Sequence, residues 1–85
     1  MDSYYPVSVI PLKNYQLLIT FDNNEQRIFD VMPYLDDMFF APLRDLAVFN
    51  TVRVNPISIE WDGNIDLCPD ELYCNSLKLY DTLTK

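Results

Sequence analysis

The chain has 85 residues and a mass of 10.0 kDa, which leaves room for one domain at most. Apolar residues make up 49% and charged residues 22%, the balance of a folded globular chain rather than a disordered one. Thirteen acids face six bases with no histidine, a formal charge of −7, so direct nucleic-acid binding and anionic-membrane binding are not expected.

The charge is spread along the chain. Residues 1–43 carry six acids and two bases, and residues 44–85 carry seven and four. That pattern fits an acidic surface on a folded domain, not an acidic tail. No apolar run is long enough for a transmembrane helix. The start, Met1 to Pro6, lacks the basic and apolar regions of a signal peptide, so a cytoplasmic location is expected.

Tyr5 to Pro11 reads as a first strand, ended by Pro11 or confined by it to an edge. Tyr15 to Phe21 alternates strictly, with Tyr15, Leu17, Ile19 and Phe21 on one face. Asp22 to Glu25 is a polar interruption, and Asn23-Asn24 suits a type I′ turn because Asn tolerates positive φ. Gln26 to Val31 returns as the partner strand. Pro33 then opens a short helical turn. Phe39, Leu43, Leu46 and Ala47 lie at helical spacing, and Pro42 limits how early that helix becomes regular.

Val52 to Val54 is a short strand, and Asn55-Pro56 a turn. Ile57, Ile59 and Trp61 alternate with polar residues as a half-buried strand. Asp62-Gly63-Asn64 makes a tight turn at the lone glycine, and Ile65 to Leu67 returns. Pro69 at the first helical position, with Asp70 and Glu71 after it, starts a helix. Leu72, Tyr73, Leu77, Leu79, Tyr80 and Leu83 continue at roughly helical spacing. The expected fold is therefore α+β: a small antiparallel sheet of about five strands with two or three short helices packed on it. One domain covers 1–85, with a core at 6–75 and a helical tail at 76–85.

Catalytic chemistry finds little to work with. Without histidine there is no Ser or Cys triad and no common zinc site. One glycine cannot build a phosphate loop. Cys68 and Cys74 lack redox or zinc spacing and read as reduced, partly buried thiols. Asp62 to Asp66 faintly resembles a calcium loop, but Leu67 stands at the sixth position and Tyr73 at the twelfth, so turn formation is the reading. No metal and no cofactor are expected. Trp61 is assigned to packing, because Ile57 and Ile59 share its face. Tyr4, Tyr5, Tyr34 and Tyr80, with the acids Asp36 and Asp37, are the candidate contact residues. Met32 and Met38 flank Phe39-Phe40, and core filling is the expected use of that run.

The order of signals also carries a resemblance. Tyr15–Asp22, Phe29-Asp30-Val31, Leu43-Arg44-Asp45 with Phe49, Trp61, and Asp66-Leu67-Cys68-Pro69-Asp70-Glu71-Leu72-Tyr73 together resemble the small bacterial family known as domain of unknown function 2442. The resemblance covers roughly residues 6–75. It implies a compact α+β domain with no established catalytic residues. It also implies an antitoxin-like role, since such proteins are often encoded beside another small protein. Some relatives add a C-terminal helix-turn-helix domain, for which the residues up to Lys85 leave no room. The first hairpin departs from the family's usual Asp-Gly, and Cys68 stands where serine is common. Trp61, Asp66, Pro69, Asp70, Leu72 and Tyr73 read as structural: large groups pin the last helix, and Asp66 can accept backbone donors near its start.

The leading expectation is a non-enzymatic protein-binding module whose partner is a small basic protein encoded nearby. A small-ligand sensing domain is the alternative, and an enzyme using the carboxylates between Asp62 and Glu71 is a third. A second copy stays open as a partner, through a strand edge or the Leu79–Leu83 tail.

Overall fold

The computed structural model describes residues 5–78. The chain builds two antiparallel sheets. Strands β1 (Pro6–Leu12), β2 (Gln16–Phe21), β3 (Gln26–Asp30) and β7 (Leu77–Lys78) form the first, in the order β1-β2-β3-β7. Strands β4 (Arg53–Val54), β5 (Ile59–Trp61) and β6 (Ile65–Leu67) form the second, in the order β4-β5-β6. Helix α1 (Leu46–Phe49) precedes the second sheet and helix α2 (Pro69–Cys74) follows it. The α+β class holds, but the single sheet of about five strands does not.

The sheet divides for a physical reason at β1. A bulge between Pro6 and Ser8 sets Pro6 and Pro11 in phase, opposite Phe21 and Leu17. Proline donates no hydrogen bond and is tolerated in a strand only where its nitrogen faces away from the ladder. The free edge of β1 thus lacks two donors. Strand β4 runs beside β1 but pairs with β5 instead, through Arg53 opposite Glu60 and Val54 opposite Ile59.

The alternation of β2 survives intact: Leu17, Ile19 and Phe21 are fully buried. Phe29, Val31, Leu35, Leu43, Phe49, Ile59, Trp61, Ile65, Leu67 and Leu72 complete the core. Its largest member, Trp61, donates from Nε1 to the Phe49 carbonyl at 3.1 Å. That bond satisfies the one polar atom of the ring inside the core.

Tyr15 is not in a strand. It closes the turn between β1 and β2 with φ 60°, next to Asn14 at the same φ. Left-handed backbone at a bulky residue costs on the order of 1 kcal/mol. Three contacts hold it there. The phenol donates to the Arg44 carbonyl, the ring meets Phe49 edge-on at 5.1 Å, and the carbonyl accepts from the Val31 amide at 2.9 Å.

The first β2–β3 turn is one residue longer than a type I′ turn. Asn24 N–H bonds the Phe21 carbonyl, Phe21 N–H bonds the Glu25 carbonyl, and of the two asparagines Asn24 alone has positive φ, at 70°. This is the three-residue loop that ends in a left-handed residue. The β5–β6 turn has Gly63 at φ 90° followed by Asn64 at 62°, so the lone glycine sits where its backbone freedom is used.

The helical stripe from Phe39 to Ala47 does not form. The 3-10 turn Ala41–Arg44 and the four-residue α1 take its place, while the short helical turn expected at Pro33 forms as the 3-10 turn Met32–Asp36. Asp37 and Asp45 explain the breaks. Each carboxylate accepts a backbone N–H two residues on, from Phe39 at 2.8 Å and Ala47 at 3.0 Å, which resets the chain at each point. Ile57 likewise leaves the strand pattern, because Asn55 Oδ1 accepts from the Ile57 and Ser58 amides at 2.8 and 2.6 Å and turns the chain. Helix α2 stops at Cys74 rather than running on as a tail, and Leu77–Lys78 pairs with β3. The remaining tail, residues 79–85, lies outside the described residues.

Trp61→Ala removes the largest core side chain and a buried hydrogen bond. We expect a loss of about 3–5 kcal/mol, enough to abolish a cooperative urea transition in a domain this small. Trp61→Phe retains most of the packing and loses the bond to Phe49, for about 1–3 kcal/mol in the same measurement.

Candidate functional site

The segment from Asp30 to Arg44 lies between the two sheets and carries three of the six candidate contact residues, Tyr34, Asp36 and Asp37. It is pinned from inside. Val31, Leu35 and Leu43 are buried, and Asp30 Oδ1 accepts from the Met32 amide at 3.1 Å. A run of rings leads outward from the core. Buried Phe29 meets Tyr34 at 5.4 Å, Tyr34 meets Phe40 at 5.4 Å, and Phe40 meets Phe39 at 4.8 Å, the last two edge-on. The run ends in solvent, where Phe39 is 51% and Met38 90% exposed. Met32 is also exposed. The core-filling expectation for Met32, Met38 and Phe39 is therefore corrected, while Phe40 is half-buried.

Acids frame this tip. The Asp36 side chain is almost wholly exposed and lies 3.6 Å from an exposed Arg44 guanidinium. Such a pair contributes little to stability. Asp37 is exposed and spends one oxygen on the Phe39 amide. Segment 30–44 holds Asp30, Asp36 and Asp37 against Arg44.

Tyr34 is not a free contact residue. Its hydroxyl donates to Glu71 Oε2 at 2.6 Å, and Asn75 donates to the same oxygen at 3.1 Å. The bond ties the segment to α2. Partial burial, then the hydrogen bond to the Glu71 carboxylate, push the Tyr34 hydroxyl up to about 12. Tyr5 is exposed, but it stands by the β2–β3 turn at the far end of β2 from Asp30. Tyr4 and Tyr80 lie outside the described residues. Among the described residues the structure therefore brings Asp36 and Asp37 together with Met38 and Phe39, and leaves Tyr5 apart from them. A signal for the exposed tip was present in the sequence: two prolines and two adjacent acids bracket it, and both break a buried helix.

The residues of the terminal motif occupy a second place. Leu72 is buried. The Tyr73 ring lies edge-on to Phe21 at 5.0 Å, and its hydroxyl donates to Glu25 Oε1 at 2.5 Å. The Arg27 guanidinium sits 3.8 Å over that ring and donates to the Tyr73 and Ser76 carbonyls at 3.3 and 3.2 Å. This clamps α2 to the β2–β3 hairpin. Pro69 opens α2, with Asp70 exposed in its first turn. Asp66 stands exposed on β6 opposite Glu60, with no hydrogen bond to the helix start among the described residues. Both cysteines are free and exposed, not partly buried.

The carboxylates from Asp62 onward are engaged in structure or dispersed. Arg53 bridges Glu60 at 3.1 Å and Asp62 at 2.8 Å, and Asn55 donates to Glu60 at 2.9 Å. The Asn55 bond, with Arg53 behind it, holds the Glu60 carboxyl below its usual range. Among the described residues no three His, Cys, Asp or Glu side chains are grouped to hold a metal ion. No helix among them is long and apolar enough to cross a membrane.

The Tyr34 bond has a defined pH window. Its folded pKa is raised above the unfolded value of 10.0, so its contribution is complete below pH 10 and is lost as pH rises through about 12. Thermal melts of the wild type should show a decline between those values that Tyr34→Phe lacks, with Tyr34→Phe less stable at pH 7 by about 1 kcal/mol.

Comparisons with characterised proteins and with solved structures find no match. The family described as Protein of unknown function (DUF2442) matches residues 6–77, most of the chain, and the protein belongs to that family.

Proposed function

We propose that this domain is a non-enzymatic protein-binding module, the antitoxin-like member of a pair, and that its partner is a small basic protein encoded beside it. The observation that carries this reading is the tip at Met38 and Phe39. Two large apolar side chains stand in solvent on a segment whose other end is anchored in the core. A rigid apolar anchor rimmed by charge is the usual form of a binding hot spot. The rim here is acidic, through Asp36 and Asp37, on a protein of net charge −7. A partner that matches it presents an apolar pocket with lysine or arginine around it.

The geometry of the chemistry-bearing groups favours binding over turnover. Glu60 and Asp62 share Arg53, while Glu71 is occupied by Tyr34 and Asn75. Methionine adds adaptability, since its flexible thioether fits pockets of varied shape. No helix-turn-helix is formed among the described residues.

Co-expression of the tagged protein with its encoded neighbour, followed by native mass spectrometry, should yield a stoichiometric complex with a basic protein. Met38→Ala and Phe39→Ala should each weaken that complex by about tenfold or more, Met38→Ala without changing the melting temperature and Phe39→Ala with a small drop from its lost contact with Phe40. Asp36→Asn with Asp37→Asn should slow association and reduce its salt sensitivity. Recovery of the bare protein in the presence of the expressed neighbour would refute the reading.

A further inference from the structure

The core occupies one face of the four-stranded sheet. On the opposite face the register sets Ile10 beside Leu18, Leu18 beside Ile28, and Ile28 beside Leu77. One aliphatic row therefore crosses all four strands. Its ends are open, with Ile10 48% and Leu77 72% exposed, and Leu18 and Ile28 are half-buried between them. An outward face normally carries polar residues, and the rows beside this one are mostly polar. Ser8, Thr20 and Gln26 lie on one side, and Gln16 and Asp30 on the other, where Leu12 at the end of β1 is the apolar member. The aliphatic row is the exception, and its continuity across every strand gives it the form of a contact surface.

The charge of this face selects its occupant. Asp30 is its one charged side chain among the described residues, on a protein of net charge −7. A basic partner gains little from a face with one carboxylate. A second copy of the chain gains most there, because elsewhere acid would meet acid. Three strands about 4.8 Å apart with the two residues of β7 beside them, and five residues of about 3.3 Å, make with side-chain overhang a face of about 20 Å by 17 Å. Two such faces bury on the order of 1,000 Å², the lower bound for a specific interface.

We propose that the outward face of this sheet is a homodimer interface, in which the Ile10–Leu18–Ile28–Leu77 rows of two copies pack across a twofold axis. The two sheets stack about 10 Å apart with strands roughly aligned. Area at the lower bound and mutual repulsion of two acidic bodies make the dimer weak, so it forms in the micromolar range or above.

Sedimentation velocity of the full chain over a range of concentrations, at low and high salt, tests this. A reversible monomer–dimer equilibrium is expected, and it tightens as salt screens the net repulsion. A basic-partner complex would respond to salt in the opposite sense. Ile10→Lys and Leu77→Lys, both at exposed positions on outer strands, should each raise the dimer dissociation constant by about tenfold or more, since each buries a charge in the contact. Circular-dichroism melts of the same variants report whether the fold is retained, and Ile10→Thr serves as the milder change if a lysine variant unfolds. A chain that stays monomeric at every concentration and salt overturns the proposal, including the case in which residues 79–85 cover the row. A dimer indifferent to substitutions at both positions also overturns it, because the contact then lies elsewhere.

Discussion

One buried tryptophan holds the two halves of this domain together. Trp61 belongs to the three-stranded sheet, yet its indole N–H is satisfied by the Phe49 carbonyl at the end of α1. Phe49 in turn packs against the ring of Tyr15 at the end of the four-stranded sheet. Tyr15 then bonds the Arg44 carbonyl, which anchors the chain just before α1. Each contact uses an atom or ring that the next one depends on. A domain of this length buries a modest share of its surface, so it gains little from area alone. Large rings that also meet their polar requirements give the greatest return per residue, and they are placed here at the junction between sheets.

That junction explains an otherwise costly backbone. Tyr15 in left-handed conformation would be poor in an isolated hairpin. It is held because the tertiary contacts of its ring and hydroxyl exceed the local strain. The same logic applies at the opposite corner. Arg27 is largely removed from solvent, and its charge is met by Glu25, by two carbonyls and by the face of Tyr73. Partial burial of a cation is tolerable when its donors find partners in this way. The helix it clamps is only six residues long and would not persist alone.

What the sequence disclosed follows from the range of the forces involved. The alternation of Leu17, Ile19 and Phe21 and the proline-acid start at Pro69 are local signals, and both appear in the fold. The Phe39–Ala47 stripe was also a local signal, but it misled. Its period matched a helix, while Asp37 and Asp45 offered the backbone side-chain acceptors that periodicity does not register. Tyr15 was read as a strand residue because its place in the alternation was right, whereas its φ is set by partners 29 and 34 residues away. The division into two sheets was hidden for a similar reason. It depends on the phase of Pro6 and Pro11, which a bulge alters by one residue. Of the candidate contact residues, the acids were identified by exposure and the apolar tip was not. Composition alone cannot tell a methionine that fills a core from one left outside it.

The two outward surfaces divide the chemistry of an acidic protein between them. The loop tip couples apolar side chains to acids, so charge there can select a partner and hasten its approach. Among the described residues the sheet face sets its aliphatic row beside a single charged side chain, Asp30, and leaves most of the repulsion elsewhere. If both surfaces had the same charge character, one kind of partner would compete for both. On the two proposals, a like-charged copy and an oppositely charged partner would occupy separate places on one small body. The separation has a structural basis in the strands themselves. Core residues take one face of β2 and β3, the aliphatic row takes the other, and the acidic segment leaves only after Asp30, where β3 ends.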